Sequence, residues 1–194
     1  SFEYGEKVNY SNANEMPREE IVKHIVNVSG EDPIISTTGK ASRELFEIRE
    51  ANAQGHCYDF LTVGSMGHSS SIALGIALNK PAQKIWCIDG RRIVCVDGDG
   101  AVLMHMGAMA VIGANRPANL VHIVINNGSH ETVGGMPTVA AKINLPEIAK
   151  ACGYVEILKA ENFRSLDEAL DKAKRNNVLT FIEVKSSVAS RKDL

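Results

Sequence analysis

Gly98-Asp99-Gly100, followed after 25 residues by Asn126-Asn127-Gly128, decides how this chain is read, because each triplet closes a run with the composition of a buried β-strand. Residues 93–96 (Ile-Val-Cys-Val) lead into the first triplet and residues 120–125 (Leu-Val-His-Ile-Val-Ile) into the second, with a helix-compatible segment between them. That is the pattern of one βαβ crossover. Its strands run parallel, so Asp99 and Asn127 emerge at the same carboxyl edge of the sheet, where open α/β folds bind ligands. A carboxylate and an amide oxygen are hard donors suited to Mg²⁺, which takes few protein groups and fills its octahedron with water and phosphate oxygens. Gly98 and Gly100 lack a Cβ and let the backbone approach a diphosphate, and the amides of the helix opening at Ala101 point toward it. Taken singly, Asp99 reads as a helix cap and Asn126-Asn127-Gly128 as a turn. Their occurrence together at matching strand ends favours the cation site.

The two spaced triplets resemble the diphosphate and Mg²⁺ signature of the thiamine-diphosphate-dependent enzymes. The resemblance implies that the side chains of Asp99 and Asn127 and the backbone carbonyl of Ser129 ligate Mg²⁺, and that the amides of Gly100 and Ala101 hold the diphosphate. A second segment, Gly64-Ser65-Met66-Gly67, is similar to the family's turn against the aminopyrimidine. There Gly64 would accept from the ring through its carbonyl, and Met66, one residue past Ser65, would prop the cofactor into its bent form. Bending brings the 4′-amino group near the thiazolium C2 and makes proton removal intramolecular. Without the first signature, Met66 reads as flexible core filler.

Thr38-Gly39-Lys40 resembles the loop with which the family touches the diphosphate, although many members carry a small hydroxyl residue where Lys40 stands. Lys40 is a cation for the diphosphate or for an anionic substrate, or else a solvated lysine at a helix start. The segment from Asn127 to Thr138, with His130-Glu131 followed by Val133-Gly134-Gly135-Met136-Pro137-Thr138, resembles the corresponding loop of phosphonopyruvate decarboxylases. Sulfopyruvate decarboxylases are a weaker match, because their loop lacks the His-acid pair. The candidate catalytic residues are therefore His130, Glu131 and Lys40, with His130 titrating near neutrality and able to donate to substrate or move a proton. His24, His56, His68, His105 and His122 lack ligand-like spacing and read as structural.

Composition narrows the rest. Lys and Arg total 21 against 23 Asp and Glu, a formal net charge of −2, so there is no electrostatic footprint for nucleic acid. The apolar runs are strand-length and broken by Gly or charge, short of a membrane span, and no signal-peptide pattern opens the chain. The four cysteines, Cys57, Cys87, Cys95 and Cys152, form no CxxC pair and read as reduced thiols, most of them core filler, of a cytoplasmic protein. A Walker A loop is excluded, since Ile34 stands at the required first glycine and Ala41 replaces the Ser or Thr. Neither GxSxG nor GxGxxG after a strand occurs.

Residues 1–16 are polar and aperiodic, and read as a linker-like segment outside the core. Residues 17–194 read as one domain, with a helix opened by Pro17, strands near 33–37, 60–63, 154–158 and 179–184, and helices near 41–51, 69–78, 145–152 and 165–175. Alternation of this kind predicts an α/β fold, a mostly parallel sheet flanked by helices on both faces, which the resemblance sharpens to the thiamine-diphosphate-binding fold. The resemblance covers one diphosphate-binding domain. Family members add a pyrimidine-binding domain whose glutamate activates the cofactor, and that domain has no counterpart in these residues. The implied partners are that domain, a small anionic 2-oxo acid and further copies of the chain in a homo-oligomer. The implied reaction is decarboxylation, of phosphonopyruvate first, with a sulfopyruvate decarboxylase subunit or a non-catalytic cofactor-binding domain as alternatives. The chain alone is expected to be inactive.

Overall fold

The computed structural model describes residues 10–82, 85–90, 99–130 and 136–188. Helix α1 (Arg18–Ser29) follows Pro17, whose φ of −64° suits the start of a helix, and buries Ile21, Val22, Ile25 and Val26 along one face. Strand β1 (Ile34–Ser36), helix α2 (Lys40–Ala51), strand β2 (Asp59–Leu61) and helix α3 (Ser69–Asn79) come next. After them run β3 (Ile85–Gly90), α4 (Asp99–Met104), α5 (Gly107–Asn115) and β4 (Leu120–Asn126). A short hairpin, β5 (Ser129–His130) with β6 (Met136–Pro137), leads through a 3₁₀ turn to α6 (Leu145–Cys152), β7 (Glu156–Ala160), α7 (Phe163–Arg175) and β8 (Thr180–Lys185).

Among the described residues six strands form one sheet in the order β2-β1-β3-β4-β8-β7, every neighbouring pair parallel. The expected fold class is therefore the observed one. Helices cover both faces because alternate residues of each buried strand feed opposite layers. Val121, Ile123 and Ile125 of β4, with Ile182 and Val184 of β8, pack with α1, α2 and α7. Leu120 and Val124, with Phe181, pack with α3, α5 and α6. His122 points into the second layer, fully buried, its Nδ1 2.8 Å from the Tyr154 hydroxyl, in keeping with a structural role.

Two expectations change and one falls outside the described residues. The strand expected at 93–96 and Gly98 lie outside the described residues, and the strand that pairs in parallel with β4 is β3, eight residues earlier in the chain. Val63 was expected in a strand but is 94% exposed, beyond the end of β2. The segment before Pro17 was expected to stay out of the core, whereas Met16 is 1% exposed within the α1–α2–α7 layer and its carbonyl accepts from the Ser187 amide at 2.9 Å. A methionine has enough apolar surface to be drawn in from polar surroundings.

Helix α7 shows how local rules acted. It opens at Asn162, whose side chain accepts from the Ser165 amide while the Ser165 hydroxyl accepts from the Asn162 amide. The helix expected to begin at Ser165 thus begins earlier, with Ser165 as the reciprocal member of the capping box.

Candidate functional site

Asp99 opens α4 and is fully buried, as are Gly100 and Ala101 behind it. Its Oδ2 accepts a hydrogen bond from the hydroxyl of Thr138, which lies just past β6. The Thr138 amide donates to the Gly128 carbonyl at 2.9 Å, so one residue joins the Asp99 helix start to the turn after β4. The two halves of the sequence signature meet there.

That turn is held at each peptide. Asn126 accepts from the Gly128 amide through Oδ1 at 3.0 Å and donates through Nδ2 to Oε1 of Glu183 at 2.8 Å. Lys185 pairs with the same Glu183 oxygen at 2.8 Å. Asn127 accepts from the Ser129 amide through Oδ1 at 3.2 Å, which leaves that oxygen a second lone pair. Gly128 takes a φ of +69°, a region open to glycine without strain. The Thr138–Gly128 bond makes those two residues a hydrogen-bonded pair of the antiparallel ladder, so Ser129, opposite Pro137 in the adjoining non-bonded position, turns its carbonyl away from β6. Asn127 is 3% exposed and Ser129 fully buried.

On the other side, the Gly64 amide donates to the Thr38 hydroxyl at 3.0 Å, tying the β2–α3 turn to the β1–α2 turn. Gly64, Ser65 and Gly67 all have positive φ, at 74°, 48° and 82°. A serine held in this region is strained, a condition that gathers at ligand sites. A Cβ on Gly67 would stand 2.6 Å from the Ala101 carbonyl, so only glycine lets the Met66 turn lie against α4. Met66 is half-buried beside it. His68 sets its Nδ1 3.2 Å from both the Ser65 and Met66 carbonyls and its ring against His105 at 4.2 Å between centroids.

Gly39 precedes α2 with a φ of 108°, and Lys40, half-buried, is the first residue of that helix. Of the remaining expected residues, Gly98 and Glu131 lie outside the described residues, and His130 is described in backbone only, in β5. Sequence reasoning did not assign Thr138, Asn126, Glu183 or Thr37.

The donor set fits a diphosphate with a hard cation. A buried carboxylate, an amide oxygen and a carbonyl turned away from the hairpin partner are oxygen ligands of the kind Mg²⁺ takes. Two buried hydroxyls, Ser129 Oγ and Thr37 Oγ1, have no hydrogen-bond partner among the described residues. Thr37 follows β1 at the same edge of the sheet. Buried hydroxyls are rarely left unpaired, so each is a group for which a ligand oxygen would be the missing partner.

Comparison with known proteins speaks to the family. Residues 37–184 match the family of the thiamine pyrophosphate enzyme C-terminal TPP binding domain. The chain is 40% identical over 137 residues to a phosphonopyruvate decarboxylase of Streptomyces viridochromogenes, covering 71% of this chain and 31% of that protein. It is 34% identical over 158 residues to sulfopyruvate decarboxylase subunit beta of Methanocaldococcus jannaschii, covering 80% of this chain and 76% of that subunit. The crystal structure of benzoylformate decarboxylase from Polynucleobacter necessarius superposes with a TM-score of 0.72 at 14% identity, over 89% of this chain and 33% of that one; at that identity the likeness speaks for the fold alone. The chain spans less than a third of the phosphonopyruvate decarboxylase that it matches. Sequence family, sheet order and the meeting of Asp99 with the Asn127 turn lead to one conclusion: this chain belongs to the thiamine pyrophosphate enzymes, in the family of their C-terminal TPP binding domain.

Proposed function

We propose that this chain is the diphosphate- and Mg²⁺-binding half of a thiamine-diphosphate-dependent 2-oxo acid decarboxylase. The observation that carries the reading is the buried junction at Thr138, which joins Asp99 to the turn holding Asn127 and Ser129. In this reading Asp99, Asn127 and the Ser129 carbonyl hold Mg²⁺. Gly98, Gly100 and Ala101 accommodate the diphosphate, with Thr38 and Gly39 across from them. Gly64, Ser65 and Met66 form the turn that orients the pyrimidine. The bound cofactor supplies an electron sink for the pair released when the bond to the carboxylate breaks and carbon dioxide leaves. The protein's share is to fix that group in place and keep water from it. His130 and Glu131 are assigned to proton transfer or hydrogen bonding at the substrate, and Lys40 to its anionic end.

The finer reading is phosphonopyruvate as substrate, giving phosphonoacetaldehyde and carbon dioxide. It rests on the His130-Glu131 loop and on the named relatives in Streptomyces. A second reading, the beta subunit of a sulfopyruvate decarboxylase, is favoured by the chain covering 76% of the archaeal subunit. Either reading requires a pyrimidine-binding partner, fused or separate, to supply the activating glutamate. No helix of the described residues is long and apolar enough to cross a membrane, and we place the assembled homo-oligomer in the cytoplasm.

Calorimetry with thiamine diphosphate tests the site. Mg²⁺-dependent binding is expected, weakened by several kcal/mol in Asp99→Ala or Asn127→Ala, each of which removes a hard ligand. Binding that is indifferent to a chelator or to both substitutions overturns the assignment. Carbon dioxide is expected only once the pyrimidine-binding partner is added. Turnover by the chain alone would show that the inventory of catalytic groups is wrong.

A further inference from the structure

Ahead of α1, residues 10–16 lie across the ends of β4 and β8, and three of their groups are anchored there by hydrogen bonds. Asn12 donates through Nδ2 to the backbone carbonyl of Asn127 at 2.7 Å and to that of Ser186 at 3.0 Å. Asn14 donates through Nδ2 to the same Ser186 carbonyl at 3.1 Å. The Met16 carbonyl accepts from the Ser187 amide and, at 3.1 Å, from the Ser186 hydroxyl. Tyr10 lies over the turn, its hydroxyl 2.5 Å from where a Cβ on Gly128 would stand. The segment precedes the residues matched by the family model, which begin at 37.

We propose that this arm positions the cation-binding turn and that Asn12 is its positioning residue. The inference rests on the cofactor site proposed above. Asn126 grips the Gly128 amide from within the sheet, and Asn12 grips the preceding Asn127 carbonyl from the opposite chain end. The Asn127 peptide is thereby pinned by an atom that is not the ligand, leaving the Oδ1 oxygen to face the cation. Bonds made before the ligand arrives hold the ligand atom near its bound position, so less ordering remains to be done on binding. Glycine at 128 serves the arm as well as the turn, because any side chain there would meet the Tyr10 hydroxyl.

The experiment uses the full chain with Mg²⁺ and thiamine diphosphate in calorimetry, Mn²⁺ in place of Mg²⁺ for electron paramagnetic resonance, and amide hydrogen exchange without ligand. Asn12→Ala, and Asn12→Leu, which keeps the volume but removes the donor, are expected to weaken binding about tenfold. They should broaden the bound Mn²⁺ spectrum and speed exchange at Gly128 and Ser129, with the unfolding midpoint little changed. Asn14→Ala removes an arm bond of similar length that does not touch Asn127, and is expected to stay within about twofold of the parent, as a site without the shared partner should. Unaltered affinity, spectrum and exchange in both Asn12 variants overturn the positioning role while leaving the cofactor site standing. Equal weakening by Asn14→Ala overturns the assignment to Asn12. Failure of the parent chain to bind overturns the site itself and the arm's role with it.

Discussion

The hydroxyl of Thr138 donates to Oδ2 of Asp99 across 39 residues of sequence, and both side chains are buried. The bond fixes the orientation of a buried carboxylate, so under the proposed metal site its removal is expected to weaken binding. Thr138→Val keeps the shape and should raise the dissociation constant for Mg²⁺ with thiamine diphosphate, since a hydrogen bond to a charged group contributes about 1.5–3 kcal/mol. Thr138→Ser should restore most of it. Calorimetry on the two variants checks this, and equal affinity in parent and valine variant would sink it.

At Gly113 and Gly153, α5 and the end of α6 meet backbone to backbone. A Cβ on Gly113 would lie 1.8 Å from the Cys152 carbonyl oxygen, and one on Gly153 2.9 Å from the Gly113 carbonyl. Neither neighbour is a side-chain tip that can swing aside. Gly113→Ala is expected to cost about 3 kcal/mol, at the upper end for an overpacked core, read as a lower midpoint in urea. Cofactor affinity in the folded fraction should not change.

Arg18 and Glu44 form a two-pronged pair between α1 and α2, with both nitrogen–oxygen distances 2.6 Å and side chains 2% and 1% exposed. Glu44→Ala removes a two-pronged carboxylate from a buried guanidinium and is expected to destabilise by roughly 3–5 kcal/mol. The double variant Arg18→Met with Glu44→Leu should recover much of that loss, because two apolar groups of similar volume need no partner. Urea unfolding of the two variants decides between the outcomes.

With a pyrimidine-binding partner in place, kcat/KM should rank phosphonopyruvate above sulfopyruvate and both above pyruvate. Under the proposed substrate reading, pyruvate would leave donors for a dianion unpaired, a larger discrimination than shape alone gives. Lys40→Ala and His130→Ala should narrow the ranking. Equal rates with pyruvate would reject the substrate, whereas unchanged ranking in the variants would reject only those residues.

The parts of the site visible in the sequence are those that a strand end and its turn residues make together. Asp99 and Asn127 could be read because glycines punctuate the chain beside them and apolar runs precede them in the sequence. Thr138, Asn12 and Glu183 left no such trace: their bonds reach across 39, 115 and 57 residues and follow no period. Arg18 reads as an ordinary charge in a first helical turn, and only the fold puts Glu44 against it. The strand before Asp99 was hard to choose for another reason. Residues 85–90 and 93–98 both run apolar, around a cysteine, into Asp-Gly, so composition ranks them alike. Pairing with β4 belongs to the first.

Strand β4 is buried at all seven of its positions, and its alternate side chains belong to two different apolar layers. Neither layer can peel off without stripping one side of the same strand, so the two should melt together in a single transition. The amide hydrogens of β4 are then expected to exchange with solvent only when the whole domain opens. Asn127 is the first residue beyond this least labile segment. Under the proposed cofactor reading, any adjustment as a ligand enters or leaves is then expected in the turns beyond the strand and not in the strand itself.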